Sequence, residues 1–238
     1  LITKYITDAF ACSAAAGKWL FKEFDYEIIP NAIETTRYFY MESIRKDVRT
    51  ELGIDEAAYV IGMVANFSAI KNHKYLVDIF SEILKEIPNT YLMLVGDGKT
   101  RGAVEKQVHR LGFSSRVFFL GQRKDVPRLL QAIDVFVLPS ITEGFSISAL
   151  EAETVGVPCV LSTGIPKDVK LFAEMDTFFL PLQDKNAWIA KIVSLKDTKK
   201  KNWVQEVSKT QYDVKANSER LLEFYEKKYK MVSDGVYL

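Results

Sequence analysis

Only two cysteines and two histidines occur in this chain of 238 residues. Cys12 and Cys159 lie in apolar surroundings far apart in sequence, so both read as reduced packing residues, and with two histidines they cannot build a usual zinc site. That usage suits a cytosolic protein. No apolar stretch approaches the roughly 20 residues of a membrane span, and no signal-peptide pattern is visible. An excess of one charge is missing too. The 32 basic and 31 acidic residues leave a formal net charge of +1, so nothing in the overall balance calls for nucleic acid or an anionic surface. The basic run Lys196-Asp-Thr-Lys-Lys-Lys201 could touch anionic lipid but reads better as a solvated loop. There is no internal repeat and no low-complexity tract. What the chain does have is a 48% hydrophobic composition, enough to bury one large domain, or one domain and a fragment of another. Leu1 in place of Met reads as the start of an excised fragment.

The opening mixes apolar and small residues from Ile2 to Ser13, as a strand with flanks would, and continues into a short helix capped by Ser13. Tyr26–Pro30 reads as a strand, Asn31–Tyr38 as a loop and Met41–Leu52 as a helix stopped at Gly53, with a linker between units in this region. From Ala58 the pattern becomes regular. Strands are expected at Val60–Ala65, Tyr91–Val95, Val117–Leu120, Val135–Leu138, Cys159–Leu161 and Phe178–Leu180. Helices are expected between them at His73–Glu86, Thr100–Leu111, Val126–Ala132, Ser146–Val155 and Lys167–Phe172. Near-continuous apolar strands alternating with helices mean an α/β fold, a Rossmann-like doubly wound parallel sheet. Ligands of such sheets bind beyond the carboxyl ends of the strands. The loops Asn66–Asn72, Gly96–Arg101, Gly121–Asp125 and Ser140–Ser146 all fall on that edge. After Pro181 the chain is mostly helical, with Asn186–Leu195, Trp203–Ser208 and a long Val214–Met231.

The stretch Ser140 to Glu151 joins an apolar strand to a helix and carries two carboxylates, Glu143 and Glu151, eight positions apart. A helix start near Ser146 offers free backbone N–H groups and a positive dipole end, which suit a phosphate. A carboxylate would repel that anion, so Glu143 and Glu151 make better sense holding neutral hydroxyls on either side of a diphosphate. The bland alternative is that Glu143 flanks the helix and Glu151 sits on its solvated face. Lys71 falls on the same edge, where an ammonium can neutralise phosphate charge. His73 reads as a helix-start residue without a catalytic partner. Gly96-Asp-Gly98 with Gly102 departs from the dinucleotide spacing and reads as a tight turn that lets backbone come close to a ligand or a neighbouring loop. Asp125 suits an N-cap, with Pro127 in the first turn, and Arg123 could lie against a base or a phosphate.

Val95-Gly-Asp-Gly98, Phe119-Leu-Gly121 with Asp125-Val126, Asp134-Val-Phe-Val-Leu-Pro-Ser140, Glu143-Gly-Phe-Ser-Ile-Ser-Ala-Leu-Glu151 and Gly156-Val-Pro158 occur in this order. Together they resemble the donor-binding half of a retaining GT-B glycosyltransferase of family 4, the glycosyl transferases group 1. Ile29-Pro-Asn31 is similar to that family's start of the second domain, and the resemblance runs from about Phe10 to Leu182.

The resemblance implies that Glu143 holds the donor sugar's hydroxyls and Glu151 the ribose hydroxyls. Backbone around Gly144, Phe145, Ser146 and Ile147 would hold the diphosphate with help from Lys71, while Asn66, Gly98 and the backbone near Arg123 complete the donor site. Retaining transfer in the family is viewed as a front-face reaction in which the leaving phosphate helps deprotonate the acceptor, so no protein nucleophile is needed; no cofactor and no metal are implied. Three departures stand out. Asn66 replaces the usual arginine, Ala32 the glycine of Pro-Asn-Gly, and Ser146 the glycine of Glu-Gly-Phe-Gly. The acceptor-binding N-terminal domain is expected to be missing apart from a remnant at residues 1–28. The nucleotide-sugar-binding domain then spans 29–211, and a C-terminal helix and tail at 212–238 return towards the missing part. The function implied is hexosyl transfer from a nucleotide diphosphate sugar, expected to be UDP-linked, to a glycan or lipid-linked acceptor in surface polysaccharide synthesis. The expected location is cytoplasmic, with peripheral contact of the full enzyme at the inner face of the membrane left open. The isolated chain is expected to bind donor weakly and transfer little. Two rivals are a nucleotide-sugar-binding module that has lost activity and an NAD(P)-dependent oxidoreductase, the latter disfavoured by the glycine spacing.

Overall fold

The computed structural model describes residues 6–234. A parallel pair, β1 (Phe10–Ala11) and β2 (Glu27–Ile28), flanks helix α1 (Ala14–Phe21). Helix α2 (Glu42–Glu51) leads to the main sheet, whose strands are β3 (Tyr59–Val64), β4 (Thr90–Val95), β5 (Val117–Phe119), β6 (Val135–Leu138), β7 (Cys159–Ser162) and β8 (Thr177–Leu180). Between them lie α3 (His73–Glu86), α4 (Arg101–Leu111), α5 (Val126–Ala132) and α6 (Ile147–Val155), and after them α7 (Lys185–Ser194), α8 (Val204–Val207) and α9 (Val214–Ser233).

All six strands are parallel, in the order β5-β4-β3-β6-β7-β8. Helices α3, α4 and α7 pack together, as do α2, α5, α6 and α8. This is the doubly wound arrangement the apolar runs imply: Val135, Phe136, Val137 and Leu138 are all fully buried because helices cover both faces of β6. Each large side chain so buried contributes roughly 1.5–3 kcal/mol relative to exposure. The chain winds outward from β3 through β4 to β5, then returns to lay β6 on the other side of β3. The order reverses between β3 and β6, and in open sheets the ligand crevice opens at that reversal, beyond the strands' carboxyl ends.

Four local expectations change. Strand and helix bounds shift by a residue or two at several ends, as hydrogen-bond assignment at termini commonly does. The helix expected at Lys167–Phe172 is a single 3-10 turn, Lys167–Val169. Val169 is fully buried while Phe172 turns to stack on Trp203, so the two apolar residues serve different neighbours rather than one helical stripe. The Asn31–Tyr38 loop contains a 3-10 turn, Thr35–Tyr38, and Ile33 bridges to Asp213. The stretch read as a linker is bound to the sheet. Arg45 and Arg49 of α2 reach Asp134 at 2.6 and 2.7 Å, Arg49 also donates to the Ala132 carbonyl, and Val60 N–H donates to Asp134. A buried guanidinium with this many acceptors is costly to disturb, which ties α2 to the start of β6. Part of the opening stretch, residues 2–5, lies outside the described residues.

Helix α9 leaves Leu222, Tyr225, Tyr229 and Val232 exposed, and Trp19 of α1 is also exposed. Among the described residues no helix is long and apolar enough to cross a membrane.

Candidate functional site

Two loops leave the sheet on either side of the order reversal. Residues 65–72 follow β3 and residues 139–146 follow β6. They are stitched together by Ile141 N–H donating to the Ile70 carbonyl at 2.8 Å. Each delivers one charged side chain to the same point: Lys71 Nζ lies 2.7 Å from Glu143 Oε1, the lysine side chain 23% and the glutamate 6% exposed. Ser140 Oγ donates to the same oxygen at 2.5 Å. The far side of the Glu143 loop is fixed by Glu143 N–H donating to the Gly164 carbonyl, and the near side by Ser13 Oγ donating to the Gly144 carbonyl at 2.6 Å.

Ser146 caps α6, its Oγ accepting from Ala149 N–H. Among the described residues, the N–H groups of Phe145, Ser146 and Ile147 donate to no protein acceptor, so three donors at the positive end of α6 stand open next to the Lys71–Glu143 pair. The Phe145 ring stacks on Tyr212 at 5.6 Å, turning its side chain inward. Inside the helix, Glu151 leaves the solvated face: Tyr38 OH donates to its Oε1 at 2.5 Å. Burial raises the Glu151 carboxyl above its usual range, against the lowering effect of the Tyr38 bond. Burial, followed by the neighbouring carboxylate, raises the Tyr38 phenol as well.

Beyond β3, β4 and β5 lies a cleft of about 520 Å³, lined among others by Asn66, Gly96, Asp97, Gln122, Arg123 and Lys124. Gly96 and Gly98 both have positive φ, +135° and +153°. A side-chain carbon on Gly98 would come within 2.5 Å of the Phe67 carbonyl oxygen, so this turn exists to bring two loops together. Asp125 holds the expected N-cap position of α5, but its side chain is used differently. Asp125 caps nothing with its side chain; instead its two oxygens accept from Arg123 Nε and Nη2, both at 2.7 Å. A bidentate pair between two ions outweighs a single carboxylate-to-N–H cap bond, and it holds the Arg123 guanidinium on Asp125 at the rim of the cleft that Arg123 lines. His73 is buried, stacked on Phe67 at 4.0 Å with both ring nitrogens lacking a protein partner, and burial, reinforced by Lys71, pushes it down to about 4.

The structure therefore brings Lys71, Glu143 and the Gly144–Ile147 helix start together. Asn66 and Arg123 line the adjoining cleft; Glu151, Gly98, Lys71 and Glu143 do not. Ser13 caps α1 as expected, its Oγ accepting from Ala16 N–H, but its bond to Gly144 and the supporting roles of Tyr38 and Ser140 are not foreseen from the sequence. Ser140 ends a motif recognised there, but Tyr38 is 113 positions from its partner.

The family model for Glycosyl transferases group 1 matches residues 44–210. A putative glycosyltransferase of Bacillus subtilis, EpsF, is 28% identical over 233 residues, 94% of this chain and 61% of that protein. The Escherichia coli UDP-Gal:alpha-D-GlcNAc-diphosphoundecaprenol alpha-1,3-galactosyltransferase is 31% identical over 177 residues, 72% of this chain and 45% of that protein. The chain thus spans about half to three-fifths of these relatives. Among solved structures, Anabaena HepE in complex with UDP-glucose superposes with a TM-score of 0.77 at 22% identity, over 94% of this chain and 65% of that one. The C-terminal domain of LpcC, a glycosyl transferase group 1 family protein of Francisella tularensis, is matched over its full length and 77% of this chain, with a TM-score of 0.63 at 18% identity. Its sheet is the second half of a GT-B fold, and the chain belongs to the glycosyl transferases group 1 family.

Proposed function

We propose that this chain is the donor-binding half of a retaining hexosyltransferase that uses a nucleotide diphosphate sugar, UDP-linked, to extend a glycan or lipid-linked acceptor in surface polysaccharide synthesis. The observation that carries the reading is the meeting of Lys71 and Glu143 beside the open N–H groups of α6. A cation and a helix start stabilise the charge that develops on a leaving diphosphate, and they do so without reorganising at the moment of bond breaking. Glu143, held by Ser140, is then the acceptor for hydroxyls of the donor sugar, and Glu151 for those of the ribose. The cleft at Asn66 and Arg123 takes the base. Asn66 carries no charge where the resemblance has arginine, which leaves Lys71 as the charged phosphate contact on this loop. The attacking hydroxyl gives its proton to the departing phosphate on the same face of the sugar. The exposed apolar side chains of α9 face the acceptor-binding part of the whole enzyme in this reading.

The HepE complex with UDP-glucose and the galactosyltransferase relative support a UDP-sugar as donor. The test is calorimetric titration with UDP, GDP, ADP and NAD in metal-free buffer, repeated on Glu151→Ala. Selective binding of one nucleoside diphosphate, weakened in the variant, is the expected result. Binding of NAD in its place would overturn the reading.

A further inference from the structure

We propose that Tyr38 is the positioning residue for ribose recognition: it fixes one oxygen of Glu151 so that the other is presented to a ribose hydroxyl. The inference rests on the donor-site reading above and adds to it a residue from outside the motifs that carry it.

Tyr38 sits at the end of the 3-10 turn Thr35–Tyr38 and is 5% exposed. The turn is tied down on both sides. Upstream, Thr35 Oγ1 donates to Asp213 Oδ2 at 2.6 Å, and Ile33 exchanges backbone bonds with Tyr212 and Val214. Downstream, Gln131 of α5 donates to the Phe39 carbonyl and accepts from Met41 N–H. The phenol therefore stands on a rigid support that a long, rotatable glutamate lacks. Its hydroxyl has one proton to give, and that proton goes to Glu151 Oε1. Among the described residues no other group hydrogen-bonds to the Glu151 carboxylate. One carboxylate oxygen is thus occupied by the protein and one is left as an acceptor. A neutral hydroxyl pair such as that of a ribose is the ligand that suits a single, oriented, half-satisfied carboxylate. A phosphate would be repelled by it.

The experiment titrates UDP, GDP and ADP and their 2′,3′-dideoxy counterparts into the 238-residue chain as wild type, Tyr38→Phe, Glu151→Gln and the double variant. Tyr38→Phe keeps the ring and removes only the donor. The expected result is a wild-type preference for ribose, narrowed roughly three- to tenfold in Tyr38→Phe, the size of one ordinary net hydrogen bond, because the variant loosens the Glu151–ribose bond and does not remove it. In the Glu151→Gln background, Tyr38→Phe should narrow it no further, which is the signature of coupling and not of general loosening. Melting temperatures of the four proteins separate this from a loss of fold. A ribose preference that Tyr38→Phe leaves intact, or tighter ribonucleotide binding by Tyr38→Phe, overturns the role of Tyr38 while the donor site stands. Equal binding of ribo and dideoxy forms by the wild type removes Glu151 and Tyr38 from ribose reading together. Binding of no nucleoside diphosphate at all overturns both this proposal and the function it rests on.

Discussion

Lys71 Nζ and Glu143 Oε1 are 2.7 Å apart, on loops that leave β3 and β6 at the point where the strand order reverses. The pair is the consequence of topology: residues 72 positions apart in sequence meet because β6 returns to lie beside β3. It also means that the cation offered to a diphosphate is already partnered by a carboxylate. Ser140 shares that carboxylate oxygen, so Glu143 keeps a hydrogen bond when the lysine turns to another anion.

Glu143→Gln should therefore separate the two halves of the donor. The amide keeps the shape and the Ser140 bond but releases Lys71 and removes a negative charge beside the phosphate site. Bare UDP should bind several-fold more tightly, while UDP-hexose should gain less because the sugar loses its charged acceptor. Lys71→Met should weaken both. Calorimetry with the two ligands reads the difference, and weaker UDP binding by Glu143→Gln would show that Lys71 and Glu143 do not compete.

Gly98→Ala tests the turn that brings two loops of the cleft together. At φ +153°, with the new carbon 2.5 Å from the Phe67 oxygen and 2.9 Å from its nitrogen, backbone must move. A loss of roughly 2 kcal/mol is expected, which for a chain of this size is a fall of about 4–8 °C in melting temperature. Differential scanning fluorimetry measures it; an unchanged melting temperature would mean that the 66–72 loop yields freely.

Much of this was legible in the chain. Apolar runs of four to six residues such as Val135–Leu138 suit strands buried on both faces, and their alternation with helices implies a parallel sheet, so strands and their ligand edge follow from pattern. Lys71, Glu143 and the Ser146 helix start were visible for the same reason, since a loop's place on the edge follows from the strand before it. Their contacts were not. No local spacing encodes that Tyr38 meets Glu151 or that Ser13 holds Gly144, because those bonds are made by pieces that fold back over the sheet. Asp125 stands at the N-cap position its type suggests, but what its side chain does there was not legible: a cap and an ion-pair partner are the same residue type, and Arg123 two positions earlier takes both carboxylate oxygens.

His73 should make the protein acid-sensitive. Its folded pKa is depressed, from 6.5 to about 4, because burial opposes the charged ring. Between those values the unfolded chain binds the proton and the folded one does not, so stability rises with pH and is lost as pH falls from 6.5 towards 4. The effect is at most roughly 3 kcal/mol. His73→Phe keeps the stack on Phe67 and removes the titration. Denaturant midpoints of wild type and variant should converge above pH 7 and separate below pH 6, with the variant more stable; parallel curves would place the imidazole in contact with water.

Glu153 works in the opposite direction. Its carboxyl is 2% exposed, accepts from Thr177 Oγ1 and has an unpartnered Oε2, and burial raises it from 4.5 to about 8. The folded state keeps this proton where the unfolded state has lost it. The contribution is complete below pH 4.5 and drains away as pH rises towards 8. Between 4.5 and 6.5 the slopes of His73 and Glu153 oppose each other, which flattens the wild-type profile over the range where each alone would tilt it. Glu153→Gln supplies the neutral form at every pH, with its carbonyl oxygen on Thr177. It should match wild type near pH 4.5 and exceed it by a few kcal/mol at pH 8. In the window between, it should expose the rising slope of His73. Urea unfolding at pH 5, 6.5 and 8 distinguishes the cases: a variant less stable than wild type at pH 8 would mean that the carboxylate is ionised and paired in the folded protein.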